Sequence, residues 1–143
     1  QEAIEYGNLI HKILSFVKTK DDVDFAITNA LENGLITNTQ KEMVAKTIRE
    51  IVNHSELENY FDKDNLVLNE QTIIQKEGNL IKPDRMVVSN KNEVYLLDYK
   101  TGSHQPKYKQ QLENYQKDIE KMGYKVNKKA LIYIGEKIEV LHL

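Results

Sequence analysis

One helical segment interrupts the strand-rich second half of the chain, and this order constrains the fold more than any other sequence feature. Three segments rich in Val, Ile, Leu and Tyr, joined by short turns, predict an antiparallel meander at residues 66–75, 79–88 and 93–99. A helical pattern then runs from Pro106 to Met122, before strands predicted at 126–134 and 137–142. Because a helix separates the third strand from the fourth, the chain can cross over the sheet. The prediction is a mixed β-sheet flanked by helices, in the α/β class.

The first half of the chain is helical in pattern. Apolar residues recur at helical spacing in segments that predict helices over Glu2–Lys18, Asp22–Asn33 and 39–53. Thr39 and Glu42 have the spacing of a capping box, and Ser55 with Glu58 repeats that spacing before a short turn ending near Phe61. The predicted element order is ααα-βββ-α-ββ, and residues 1–143 are expected to form one domain.

The absence of cysteine removes several classes of site. It excludes a disulfide framework, a thiolate zinc site, an iron–sulfur cluster and a cysteine nucleophile. No apolar run approaches the roughly 20 residues of a membrane span, and no signal-peptide pattern opens the sequence. We therefore expect an intracellular, cytoplasmic protein with no membrane partner. Since the helical pattern begins directly at Gln1, the sequence is interpreted as a fragment of a longer protein.

Positive charge is concentrated in one segment. The formal net charge is −2, yet residues 100–129 hold eight lysines against three acidic residues. A basic segment on an otherwise acidic domain can face phosphates. A solvated lysine-rich helix would explain the same pattern.

The most informative local feature is the segment from Leu96 to Gly102. Alternate side chains of a strand share a face, so Asp98 and Lys100 are predicted to point the same way beside a buried run. Asp84 lies on the preceding strand and can meet Asp98 across the ladder. Two carboxylates there would repel each other unless a cation lies between them, which indicates a metal site. A simple ion pair at the strand end remains the alternative.

Two further residues are candidates on weaker grounds. His11 lies in the first helix, one turn after Gly7 on the same face, and a glycine inside a helix can permit close backbone approach. A structural or exposed histidine is the alternative. Glu70 lies in a strand-rich segment, where it either faces the site or points outward.

Three polar and aromatic residues share a stripe on the last helix. Tyr108, Gln111 and Tyr115 have i, i+3, i+7 spacing and lie beside lysines. Aromatic rings and an amide on one face suit a nucleic-acid strand, through stacking and backbone hydrogen bonds. Tyrosines packed on the sheet with hydroxyls at the rim would give the same pattern.

Together these segments resemble the PD-(D/E)xK nuclease superfamily, and most closely the RecB-like nuclease domain at the C-terminus of helicase–nucleases such as RecB and AddA. Four segments match in family order: Gly7-Asn8-Leu9-Ile10-His11 for the GxxxH helix, Pro83-Asp84 for the first acidic position, Asp98-Tyr99-Lys100-Thr101-Gly102 for the D-Y-K-T-G strand, and Gln111-Leu112-Glu113-Asn114-Tyr115 for the QxxxY element.

The resemblance implies a role for each matched position. His11, Asp84, Asp98 and the backbone carbonyl of Tyr99 would hold a divalent metal. Lys100 would orient or deprotonate the attacking water and stabilise charge on the phosphate. Glu70 resembles a further acidic catalytic position, while Gln111 and Tyr115 would support the site and the DNA strand. A hard cation with such ligands is expected to be Mg²⁺ or Mn²⁺.

The implied activity is metal-dependent hydrolysis of DNA, as an exonuclease in DNA repair or recombination, with 5′-phosphate ends. DNA is the expected partner, at the nucleoid. Since no Walker motif is present, the helicase motor would lie elsewhere in the full-length chain or complex. Two alternatives stay open: a catalytically silent nuclease-fold module that binds DNA or acts as a scaffold, and a structural α/β domain with a polar rim.

Overall fold

The chain follows the predicted order of elements, except that two predicted strands are each divided in two. The computed structural model describes residues 2–74, 78 and 80–143. Within these residues the helices are α1 (Glu2–Leu14), α2 (Val23–Glu32), α3 (Lys41–Val52) and α4 (Pro106–Lys121), with short 3₁₀ helices at Lys20–Asp22 and Ser55–Tyr60. The strands are β1 (Leu66–Asn69), β2 (Ile73–Ile74), β3 (Leu80–Ile81), β4 (Arg85–Val88), β5 (Glu93–Lys100), β6 (Lys125–Ile134) and β7 (Ile138–His142). Over the same residues, no helix combines the length and apolar character needed to cross a bilayer.

Five strands form one mixed sheet in the order β1-β4-β5-β6-β7. The β1–β4, β4–β5 and β6–β7 pairs are antiparallel, whereas β5 and β6 run parallel because α4 carries the chain back across the sheet. The short strands β2 and β3 pair with each other in a separate antiparallel ribbon. The predictions of an antiparallel meander and of a mixed sheet flanked by helices are confirmed.

The sheet buries both of its faces, and alternate residues of β5 divide between them. Tyr95 and Leu97 pack with α1, α2 and α3, whereas Val94 and Leu96 pack with the α4 side chains. Asp98 and Lys100 continue the α4-facing series at the end of β5. The topology therefore delivers a carboxylate and an ammonium to one end of the sheet, between α1 and α4.

Both divided strands break beside the residues proposed for chemistry. Predicted strand 66–75 stops after Asn69, because Glu70 adopts a positive φ of 50° that a β-strand does not accommodate. Predicted strand 79–88 is broken before Asp84 at Pro83, which has no N–H for a sheet ladder. The predicted end at Gln75 and the turn residue Asn79 lie outside the described residues.

Two helix starts differ from the predicted caps. The predicted capping box at Thr39 and Glu42 is wrong, because Gln40 is the N-cap of α3 and makes no side-chain cap hydrogen bond. The repeated signal at Ser55 and Glu58 is wrong as well, because His54 is the N-cap there and its side chain accepts from the Glu56 N–H. The structure instead forms a capping box from Thr19 and Asp22, at the first 3₁₀ helix. Predicted helix 2–18 ends earlier, at Leu14, so that the chain can turn towards this box.

Candidate metal centre and its lysine

Asp84 and Asp98 are tied together through backbone amides at the ends of β4 and β5. The Asp84 N–H donates to Asp98 Oδ1 at 2.9 Å, and the Tyr99 N–H donates to Asp84 Oδ2 at 2.8 Å. Each carboxylate is therefore held against the backbone of the neighbouring strand, and the two acidic residues share one site.

Asp98 lies in an environment that disfavours its charge. Only 1% of the residue is exposed. Burial, reinforced by the nearby charge of Asp84, raises the pKa of Asp98 well above its ordinary value, although the Asp84 N–H and Lys100 oppose the shift. Added positive charge at this site would favour the ionised form of Asp98.

Gly7 determines how closely α1 approaches the end of β5. A Cβ atom at position 7 would lie 2.0 Å from Thr101 Cγ2, a distance that no side chain tolerates. The absence of a side chain thus lets the helix pack directly on the residue that follows β5. His11, one turn later, is carried over the acidic residues by this contact, and its ring lies 5.2 Å from the Tyr99 ring.

Glu70 faces the site rather than pointing outward. Its N–H donates to the Asp84 carbonyl oxygen at 2.9 Å, which fixes the turn after β1. Its Oε1 atom lies 2.9 Å from His11 Nε2, and Asp84 Oδ1 lies 3.3 Å from the same nitrogen. A non-glycine residue at positive φ is strained, and the strain here turns a carboxylate towards the imidazole.

His11, Glu70 and Asp84 form a group whose ligand atoms all lie within 4.8 Å of one another. Asp98 lies outside that group: Oδ1 accepts from Asp84, and Oδ2 lies 3.6 Å from Lys100 Nζ. Asp98 and the Tyr99 carbonyl were both expected to be ligands, and these two roles stay predictions.

The donor atoms of this group fit a divalent cation. His11 Nε2 is buried and has no hydrogen-bond partner among the described residues, although two carboxylate oxygens lie close to it. Contact with Asp84 raises the pKa of the imidazole, burial opposes that shift, and Glu70 and Asp98 add to it. A buried nitrogen beside two carboxylate oxygens could hold a divalent cation, and a protonated imidazole paired with the same carboxylates would use the same contacts. One imidazole with carboxylates suits Mn²⁺ as well as Mg²⁺.

Lys100 is held in place by residues of α4. Its Nζ atom donates to Gln111 Oε1 at 2.8 Å and lies 4.6 Å from the centre of the Tyr108 ring. Gln111 Nε2 in turn donates to the Tyr115 hydroxyl at 2.9 Å, and that hydroxyl contacts the Lys82 carbonyl at 3.4 Å. The predicted stripe on α4 thus reaches the site, and its DNA contacts stay a prediction.

A small cavity of about 160 Å³ adjoins the site between α1 and α4. Asn8, His11, Lys100 and Tyr108 are among the residues that line it. Larger grooves, such as one of about 660 Å³ between α2 and α3, lie away from these residues. Size alone therefore does not identify the site in this molecule.

Arg85 is a supporting residue that the sequence analysis did not single out. It is completely buried, donates to the Tyr60 and Val17 carbonyl oxygens at 2.7 and 2.6 Å, and contacts the Lys18 carbonyl as well. The sequence offered one signal for this role, a charged residue at the start of the otherwise apolar segment 85–88. Arg85 follows Asp84 directly, and its hydrogen bonds link β4 to the segments that follow α1 and α3.

The structure brings six of the predicted residues to the sheet end near β5: His11, Glu70, Asp84, Asp98, Lys100 and Gln111. Tyr108 and Tyr115 border them on α4.

Comparisons with known proteins assign no family to this chain. No protein-family model matches the sequence, and no curated protein matches it either.

Proposed function

We propose that this domain is a divalent-metal-dependent DNA nuclease of the RecB-like PD-(D/E)xK type. The observation that carries the proposal is the convergence of His11, Glu70 and Asp84 beside the Asp98–Lys100 pair. Phosphodiester hydrolysis needs a cation site and fixed positive charge at the same phosphate, and this group of residues offers both. The mixed sheet with its α4 crossover is compatible with the nuclease fold.

The metal would be held by His11, Glu70 and Asp84. When bound, Mg²⁺ or Mn²⁺ would polarise the scissile phosphate and lower the pKa of a water molecule. The proposed reaction adds water across the P–O3′ bond: the water oxygen joins phosphorus, and a proton goes to the departing 3′ oxygen. The products are a 5′-phosphate and a 3′-hydroxyl.

Lys100 supplies the fixed charge. Its ammonium carries three donors, and Gln111 takes one of them, so donors are left for a phosphate oxygen or the attacking water. Because Asp98 and Gln111 already restrain the ammonium, little ordering is needed when a phosphate arrives. We assign Lys100 to orienting the water and stabilising charge on the phosphate.

A helicase motor in the same full-length chain or complex is the proposed source of the DNA. The domain has a net charge of −2, which gives poor non-specific attraction to a polyanion. A tethered motor that delivers the strand would overcome that weakness by raising the local DNA concentration. Repair and recombination are the processes in which we place the activity.

Cleavage of linear DNA at low salt tests the proposal, with Mg²⁺, Mn²⁺ and EDTA compared. Lys100→Ala should lose cleavage and keep metal binding, measured by calorimetry with Mn²⁺. Lys91→Ala is the matched control, because Lys91 is an exposed lysine in the turn at the opposite end of β5. Asp84→Asn should lose both metal binding and cleavage, with the exposed Asp64→Asn as its control.

Two results would contradict the proposal. Cleavage that persists in EDTA would show that the activity does not depend on a divalent metal. Cleavage that persists in Lys100→Ala would show that Lys100 is not needed for it. Metal bound without cleavage, even on single-stranded DNA at low salt, would favour the silent DNA-binding module instead.

A further inference from the structure

Three rings form an aromatic platform beside the candidate site, made of His104, Tyr108 and Tyr133. The His104 and Tyr133 rings are stacked, with centroids 3.8 Å apart and planes 14° apart. The Tyr108 ring lies 6.5 Å from Tyr133 at 51°. Tyr133 is buried, whereas 48% of the His104 side chain is exposed. One face of the imidazole is therefore covered and the other is open.

Strand register places this platform directly next to Lys100. Lys100 on β5 is paired with Tyr133 on β6, and Tyr133 is paired with Glu139 on β7. Lys100 Nζ also lies 4.6 Å from the centre of the Tyr108 ring. The platform and the lysine are therefore neighbours on one face of the sheet.

The open ring is fixed from two sides. Tyr133 stacks beneath His104, and Glu139 Oε1 lies 3.3 Å from its Nε2 atom. A flat ring that is already ordered loses little conformational freedom when another ring stacks on it. Lys107, an exposed residue at the start of α4, lies 5.6 Å from the Tyr108 ring and adds positive charge beside the platform.

We propose that the open face of His104 stacks a nucleobase of single-stranded DNA, next to the phosphate that Lys100 contacts; this inference rests on the nuclease function proposed above. Bases stack on aromatic side chains whatever their identity, because every base has a π face. A base inside a duplex is already stacked on both faces, so the open face of His104 is accessible to an unpaired or terminal base. Stacking there would position such a base beside Lys100 with little preference for its identity.

Fluorescence anisotropy of a labelled oligo(dT) tests this proposal, with Ca²⁺ in place of Mg²⁺ so that cleavage does not interfere. His104→Ala should weaken binding by about fivefold or more, the low end of base stacking on an aromatic ring. His104→Phe, which keeps a flat ring, should restore most of the affinity. His142→Ala is the matched control, since His142 is a second exposed histidine beside a carboxylate.

An abasic oligonucleotide of the same length separates stacking from charge and from structure. It keeps the phosphates and lacks the bases, so the loss in His104→Ala should disappear on this ligand. An equal loss on both oligonucleotides, or no loss on either, would overturn the proposal. If wild-type protein cuts DNA in that case, the nuclease function stands without the platform. If wild-type protein neither binds nor cuts DNA, both the stacking proposal and the proposed nuclease function are overturned.

Discussion

Gly7→Ala tests whether the position of α1 controls metal binding at the proposed site of His11, Glu70 and Asp84. The added Cβ would lie 2.0 Å from Thr101 Cγ2, and an ordinary contact needs 3.4 Å, so this pair must separate by about 1.4 Å. Thr101 is β-branched, so two of its three staggered rotamers place a methyl or a hydroxyl in this space, and its rotamer changes only at a cost. We therefore expect α1 to move and to shift His11 relative to Glu70 and Asp84.

Two opposing contributions set the expected change in stability. Replacing a mid-helix glycine by alanine gains about 0.5–1 kcal/mol, whereas overpacking costs about 1–3 kcal/mol. We expect the free energy of unfolding to fall by roughly 1–2 kcal/mol, as measured by urea denaturation. We also expect Mn²⁺ affinity, measured by calorimetry, to fall by about tenfold or more, as when the support of a metal ligand is lost.

The double variant Gly7→Ala/Thr101→Ala provides the matched control. Removing the Thr101 methyl leaves the Thr101 Cβ as the nearest atom, at 3.3 Å from the new Cβ, which requires only a slight adjustment. This variant should recover most of the stability and the Mn²⁺ affinity. If Gly7→Ala alone stabilises the domain and leaves Mn²⁺ affinity unchanged, the close approach of α1 does not position His11.

Two further predictions concern charged residues of the site and its support. Since burial and Asp84 raise the pKa of Asp98, the folded protein without metal keeps a proton that the unfolded chain releases near pH 4. The free energy of unfolding should therefore fall as pH rises from about 4 through the raised pKa of Asp98. Urea denaturation at several pH values measures this fall, which should be smaller in the Asp98→Asn variant. Arg85→Lys should lower the free energy of unfolding by about 2–4 kcal/mol, because one ammonium cannot reach the separate carbonyls that the guanidinium holds. A loss below about 1 kcal/mol in the same urea assay would show that Arg85 is not a support of the site.

The element order was predictable because hydrophobic periodicity is strong in this chain. Alternation along β5 predicted that Asp98 and Lys100 share a face, and the helical stripe on α4 predicted that Gln111 and Tyr115 lie together. These features depend on local spacing only. They required no knowledge of which segments meet in three dimensions.

Features that depend on distant contacts were not predictable in the same way. Nothing local indicates that Glu70 takes a positive φ, because the turn is fixed by its bond to the Asp84 carbonyl. Arg85 looks like a surface charge until the carbonyls of Val17 and Tyr60 converge on it. Likewise, the stacking of His104 on Tyr133 joins a loop to a strand that follows α4.

The interlocked hydrogen bonds of Asp84 and Asp98 imply that the proposed metal would bind only after the chain has folded. His11, Glu70 and Asp84 come from three separate segments, and they meet only after α1 docks and β4 pairs with β5. An unfolded chain offers a cation no such group, so free metal would bind the folded state and stabilise it in proportion to its concentration. Under the proposed function, a nascent or damaged copy would bind no metal and cut no DNA, and the supply of divalent ions would govern both survival and activity of the domain.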